Sequence, residues 1–206
     1  STNGASSDES PSALQMAAGD LALPWVTEEA EAPFVVGEMA RSRGATTPIR
    51  LVSSAKSWLC HPGVDRRAAI LPNDAPAEVA RISPITAATR YLTHLRQAWD
   101  NAHPQAPFAQ QEITVTIPAS FDPAARELTM EAAQAAGYTS LTLLEEPQAA
   151  LYSWIQTSEG RWRKEVKPGD IILVVDVGGG TSDFSLIAVL ERDGVLAGEV
   201  EQRQEP

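Results

Sequence analysis

Three consecutive glycines between two apolar runs, 171-IILVVDVGGGTSDFSLIAVL-190, constrain this chain more than any other stretch. Glycine weakens a strand interior because it has no side chain to pack and the most backbone freedom to lose. The runs on either side are strand-like and no helical period follows. The stretch therefore reads as an antiparallel hairpin, with a strand over IILVVDV, a turn over GGGTSD and a strand over FSLIAVL. IILVVDV is apolar without alternation, which predicts a strand buried on both faces. A G-x-x-x-x-G-K-[ST] loop is excluded, because the lysine and the following helix are missing. A G-x-G-x-x-G fingerprint is excluded for want of the helix. Two readings are left. One is a tight bend or bulge at a crowded sheet corner; the other is a turn whose bare amides approach an anion. Asp176 favours the second, since a carboxylate ending an apolar strand is costly to bury unpaired and so faces a cleft or a cation. Asp176 and Asp183 bracket the turn and Thr181 adds a hydroxyl. Acids beside a phosphate site imply magnesium between them.

The chain carries 27 acidic against 16 basic residues, a formal charge of −11, which argues against a nucleic-acid phosphate binder. Its 206 residues, 43% apolar and 21% charged, allow a core of ordinary size. A single cysteine, Cys60, forms no internal disulfide and suits a reducing compartment such as the cytoplasm. No apolar run approaches the roughly 20 residues that span a bilayer. Cys60-His61 finds no further ligands to close a metal set, with His94 and His103 elsewhere. Trp58, Trp99, Trp154 and Trp162 read as packing residues and not as a base-stacking platform.

Along the chain, residues 1–12 are small and polar and read as a linker or disordered segment. LALPWV and PFVV read as short strands, GEMARSRGA as a helix, RLVSSAKSWL as a helical or irregular piece, and 61–78 as loop. Ser83-Pro84 and Asp122-Pro123 are N-cap and first-turn proline pairs, and Pro147 opens a third helix. Ile113, Val115 and Ile117 share one face of a strand, the alanine-rich helix after Asp122 stops at Gly137, and SLTLLEE is a strand ending in two carboxylates. RDG at 192–194 is a hairpin turn, and the residues after it read as a polar, acidic end. The alternation of strands and helices indicates an α/β architecture.

VVDVGGGTSDFSLI resembles the second phosphate-binding hairpin of the ATPase superfamily that contains actin, sugar kinases and the 70-kDa heat-shock chaperones. VTIPASFDPAARELTMEAAQAAGYTSLTLLEEPQAALY (115–152) resembles the chaperones' segment from a Val-Thr-x-Pro strand to a Glu-Pro-x-Ala-Ala helix. PFVVGEMARSRGATTPIRLVSSAKSWL (33–59) resembles the stretch that supplies their catalytic lysine. Together these cover most of residues 11–190 in the family's order. Actin-like bacterial filament proteins share the Glu-Glu-Pro helix start and the glycine turn. The context of Lys56, the Phe121-to-Arg126 pattern and the long insertion between Lys56 and Pro118 fit the chaperones better.

The resemblance implies an α/β fold of the actin-like, ribonuclease H-like kind with a mixed sheet and flanking helices. It implies a small peripheral subdomain over 13–83, a core subdomain over 84–167, and the first hairpin of a second lobe over 168–206. It implies that Gly178, Gly179 and Gly180 cradle the phosphates of ATP or ADP and that Thr181 touches the γ-phosphate or the attacking water. Asp176 and Glu146 hold magnesium through waters, and Lys56 sits near the γ-phosphate and the nucleophile. Such parts suit phosphoryl transfer, which is mostly positioning and charge neutralisation. Read without the resemblance, Lys56 is a solvated surface lysine, Glu146 and Glu145 are acids favoured by a helix N-terminus, and Pro118 and Arg126 are a strand-end proline and a helix-surface arginine. The family's first Asp-Leu-Gly-Thr-Thr hairpin and its adenosine-binding residues are not in these 206 residues. The 206 residues alone are therefore expected to be inactive. The intact protein is expected to be an ATP-hydrolysing chaperone whose partners are unfolded polypeptide, co-chaperones and a nucleotide exchange factor, with no nucleic acid and no membrane. A bacterial filament ATPase and a non-hydrolysing scaffold of the same fold are the alternatives.

Overall fold

Local signals at the helix ends decide much of the architecture seen in a computed structural model, which describes residues 34–178, 182–192 and 195–201. Helix α1 covers Glu38–Thr46 and α2 covers Ala55–Cys60. Ser83 accepts the Thr86 N–H at 3.1 Å and starts α3, Pro84–Ala102. Asp122 does the same for α4, Pro123–Ala135, accepting the Ala125 N–H at 2.6 Å. At the far end of α4 the Tyr138 N–H reaches the Ala133 carbonyl and the Gly137 N–H reaches that of Gln134. This paired closure needs a left-handed residue, and Gly137 supplies it with φ of +91°. Helix α5 runs from Glu146 to Thr157 with Pro147 in its first turn, and a short α6 covers Trp162–Glu165.

Strand β1, Ile113–Ile117, crosses through α4 to the parallel strand β2, Leu141–Glu145, with Ile113 opposite Leu141 and Ile117 opposite Glu145. Ile113, Val115 and Ile117 are turned inward, as their alternation predicts. Ala125, Ala132 and Ala133 are fully buried, and α4 packs against α3 and β2. Among the described residues three apolar clusters result. Phe108, Ala133, Ala136 and Tyr138 form one; Ala55, Leu71 and Ala87 a second; Ile117, Phe121 and Ala125 a third, to which Cys60 and Leu143 add.

The glycine hairpin is antiparallel as expected, with β3 over Ile171–Val177 and β4 over Ser182–Arg192. Its environment corrects the sequence reading. Ile171, Leu173, Val175 and Val177 are more than half exposed, and so is Phe184. The opposite face carries Ile172, in register with the buried Ile187 on β4, and Val174, in register with Ser185, and α5 packs against β3. Apolarity without alternation reports that both faces avoid charge; it does not report that each face has a cover. A further strand β5, Val195–Glu201, pairs antiparallel with β4 where the sequence reads as a polar end. Backbone pairing with β4 supplies order that composition does not reveal. Arg192 pairs with Val195, and residues 193–194 of the expected hairpin turn lie outside the described residues. Residues 34–36 of PFVV form no strand, and the expected segments over 1–12 and LALPWV lie outside the described residues. Among the described residues no helix is long and apolar enough to cross a membrane.

The helix ends of α2 and α4 are joined by one arginine. Arg66 Nη1 and Nη2 donate to the two carboxylate oxygens of Asp122 at 2.8 and 2.7 Å, and its Nε and Nη2 also reach the carbonyls of His61 and Cys60 at 3.2 and 3.4 Å. The fork matches a carboxylate edge to edge, which a lysine cannot do. Arg66 first, and the Ala125 N–H second, lower the Asp122 carboxyl from 3.8 to about 2. A carboxyl whose folded value is depressed contributes stability above its unfolded value and loses it as pH falls through the folded one.

Two outcomes follow from this packing. Asp122→Asn keeps the cap and weakens the ion pair. We expect it to lower unfolding free energy by about 1 kcal/mol at neutral pH, a figure reduced for the screening of a partly open carboxylate. Urea titrations should show that difference shrinking as pH falls from 3.8 towards about 2. Leu71 is 1% exposed between Ala55 and Ala87, so Leu71→Ala should cost about 2–5 kcal/mol in the same titration.

Candidate functional site

Helix α2 is only six residues long, and its inward positions Ala55 and Leu59 are each 3% exposed. Lys56, next to Ala55, is turned away from that core and its side chain is 55% exposed. Ninety residues later the end of β2 passes directly into α5, and Glu146 is the first residue of that helix. Its side chain is 18% exposed. Lys56 Nζ donates to Glu146 Oε1 at 2.7 Å. The two residues are thus paired, and Lys56 is not a lysine solvated alone. Glu146 also occupies the helix first turn, where the dipole favours an acid.

The adjacent carboxylate has a different job from the one read in the sequence. Glu145 is not a surface acid, being 17% exposed and ion-paired with Arg126. Arg126, in the first turn of α4, also donates from Nε to the Phe121 carbonyl at 3.2 Å. It therefore ties the loop after β1 to the joint between β2 and α5, a role beyond that of a helix-surface arginine. The Asp-Pro cap places Arg126 at the helix start, but no local pattern names its partner across 19 residues.

Asp176 lies near the end of β3 and is exposed. Its register partner on β4 is Asp183, so two carboxylates stand opposite each other, an arrangement unfavourable without a cation. Ser120, in the loop after β1, donates to Asp183 Oδ1 at 3.4 Å. This contact brings the hairpin to the carboxyl ends of β1 and β2, where Glu145 and Glu146 also lie. Open α/β sheets hold ligands at that end of their parallel strands. Gly178 is exposed and outside regular structure, while Gly179, Gly180 and Thr181 lie outside the described residues. Among the described residues no group of three or more His, Cys, Asp or Glu side chains is placed to hold a metal directly.

The aromatic residues divide. Trp58 packs on the cluster around Leu71. Trp99 is partly exposed, stacks on His103 with ring centroids 4.1 Å apart, and donates to the Ala106 carbonyl. Arg163 lies over the ring of Trp162. His61 Nδ1 accepts the Gly63 N–H, and Cys60 Sγ donates to the Ser57 carbonyl.

The model of the family described as Hsp70 protein matches residues 34–200. The chain is 31% identical over 189 residues to a chaperone protein HscA homolog of Bordetella petrii, covering 86% of this chain and 28% of that protein. It is 31% identical over 176 residues to the chaperone protein HscA of Edwardsiella ictaluri, and 32% over 174 residues to that of Salmonella paratyphi B. Each of these two matches covers 80% of this chain and 27% of the relative. The chain thus spans little more than a quarter of the length of the curated relatives it matches. With the family model covering most of its length, and with an α/β arrangement that fits the ATPase lobe of that family, the chain belongs to the Hsp70 family, within the nucleotide-binding domain.

Proposed function

We propose that this chain supplies part of the phosphoryl-transfer site of an ATP-hydrolysing chaperone, with Lys56 and Glu146 acting at the reacting end of the nucleotide. The 2.7 Å contact between them carries the reading. An ammonium group has three N–H donors, and Glu146 engages one of them, leaving two for a phosphate oxygen or a water. The free lone pairs of Glu146 can accept from the same water. A donor and an acceptor fixed at one point orient a nucleophile and oppose charge on the transferred group, which is most of what phosphoryl transfer requires.

The backbone of Gly178, Gly179 and Gly180 would approach the phosphates, and Thr181 would contact the γ-phosphate or the water. Asp176 and Glu146 would hold the water shell of magnesium. The facing carboxylates of Asp176 and Asp183 fit a nearby divalent cation. Magnesium, when bound, would neutralise phosphate charge. This reading keeps the subdomain divisions after residues 12, 83 and 167. It gives the whole protein a cytoplasmic location, ATP and ADP as nucleotides, and unfolded polypeptide, co-chaperones and an exchange factor as partners. The chaperone names of the relatives support the chaperone part of that assignment.

In the full-length protein, Lys56→Ala should lower the single-turnover rate of ATP hydrolysis by about 100-fold or more while ADP affinity changes little. An unchanged single-turnover rate would refute the role given to Lys56.

A further inference from the structure

We infer that Arg66 is a positioning residue for Lys56, and that it closes a ring of polar contacts whose last link is the Lys56–Glu146 pair. The inference rests on the phosphoryl-transfer reading above for its consequence, but on separate contacts for its geometry. Helix α2 has too few residues to hold itself in water. Ser54, at its N-cap position, makes no capping bond and has φ of +53°. What directs α2 is therefore tertiary: Ala55 and Leu59 in the core, and at the other end the grip of Arg66 on the carbonyls of Cys60 and His61. A cation at a helix C-terminus also matches the dipole.

Arg66 is 11% exposed at its side chain and holds Asp122 with both arms of its guanidinium. Asp122 caps α4, whose first turn carries Arg126. Arg126 holds Glu145, and the next residue is Glu146, which returns to Lys56. The ring runs from Lys56 through α2, Arg66, Asp122, α4, Arg126 and Glu145 to Glu146. Arg66 holds the C-terminal end of α2 and Asp122 caps α4, so loosening Arg66 frees α2 at the end opposite its uncapped start and lets Lys56 drift from Glu146. Misplacement of a catalytic group by about 1 Å can cost about 100-fold in rate.

Two variants of the full-length protein separate positioning from folding. Asp122→Asn still accepts the Ala125 N–H, since asparagine caps helices well, but turns an N–H donor towards Arg66. Arg66→Lys keeps the charge and loses the fork. In nucleotide-free protein confirmed folded by circular dichroism, the rate of Lys56 acylation by an amine-reactive ester is read by peptide mass spectrometry. An amine held at 2.7 Å against a carboxylate is less free to approach the ester than one released into solvent. We expect several-fold faster acylation of Lys56 in both variants, with Lys164 and Lys167 unchanged. We also expect a single-turnover ATPase rate lowered about tenfold or more, and an ATP dissociation constant that changes little. Unchanged Lys56 acylation in folded variants would overturn the inference. So would an unchanged single-turnover rate in these variants beside a Lys56→Ala control that has lost hydrolysis. If the control itself retains hydrolysis, the phosphoryl-transfer reading fails, and the acylation rates alone then support or overturn the role of Arg66 in placing Lys56.

Discussion

A lysine on a helix of six residues and a glutamate ninety positions later meet at 2.7 Å, and that contact sets the requirements for the surrounding structure. A half-exposed ion pair of long side chains contributes little on its own, because solvent screens it and both chains lose rotamer freedom. It is informative because the backbone at each end is held independently. Leu71 and Ala87 pack against Ala55 on the lysine side. On the glutamate side, the passage of β2 into α5 without a loop leaves Glu146 no freedom to slide along the chain.

The parallel βαβ unit explains why the acids collect where they do. Parallel strands joined by a helix place both carboxyl ends on one edge, and there the chain puts the Pro118–Phe121 turn beside Glu145 and Glu146. The glycine hairpin reaches the same edge through Ser120 and Asp183. Alanines on α4 permit that geometry, since Ala125, Ala132 and Ala133 leave no side-chain bulk between the helix and its neighbours. The exposed face of β3 and β4 is the counterpart of this economy: the helix that covers the hairpin covers one side only.

Elements whose cause is local are legible in the sequence. Ser83-Pro84, Asp122-Pro123 and Pro147 mark helix starts because the capping bond or the fixed φ is made within a few residues. Gly137 marks an end because only a left-handed residue closes that turn. The inward row of Ile113, Val115 and Ile117 follows from strand parity. Elements whose cause is distant were not legible from pattern. The Arg66–Asp122 and Arg126–Glu145 pairs join residues 56 and 19 apart, and nothing in the charge pattern distinguishes these arginines from the others. Strand β5 depends on a partner strand, and the exposure of Ile171, Leu173, Val175 and Val177 depends on what lies above them. The site itself was legible as residue types through resemblance. That Lys56 and Glu146 touch is a finding of the fold.

The most direct measurement is a double-mutant cycle on single-turnover ATP hydrolysis in the full-length protein, using Lys56→Ala, Glu146→Gln and the pair. If the two side chains act as one unit, the double variant should be scarcely slower than the worse single variant. The coupling should be about 1 kcal/mol or more, within the range found for contacting residues. Losses that simply add would contradict the account, because they would mean that the contact between Lys56 and Glu146 has no part in the reaction.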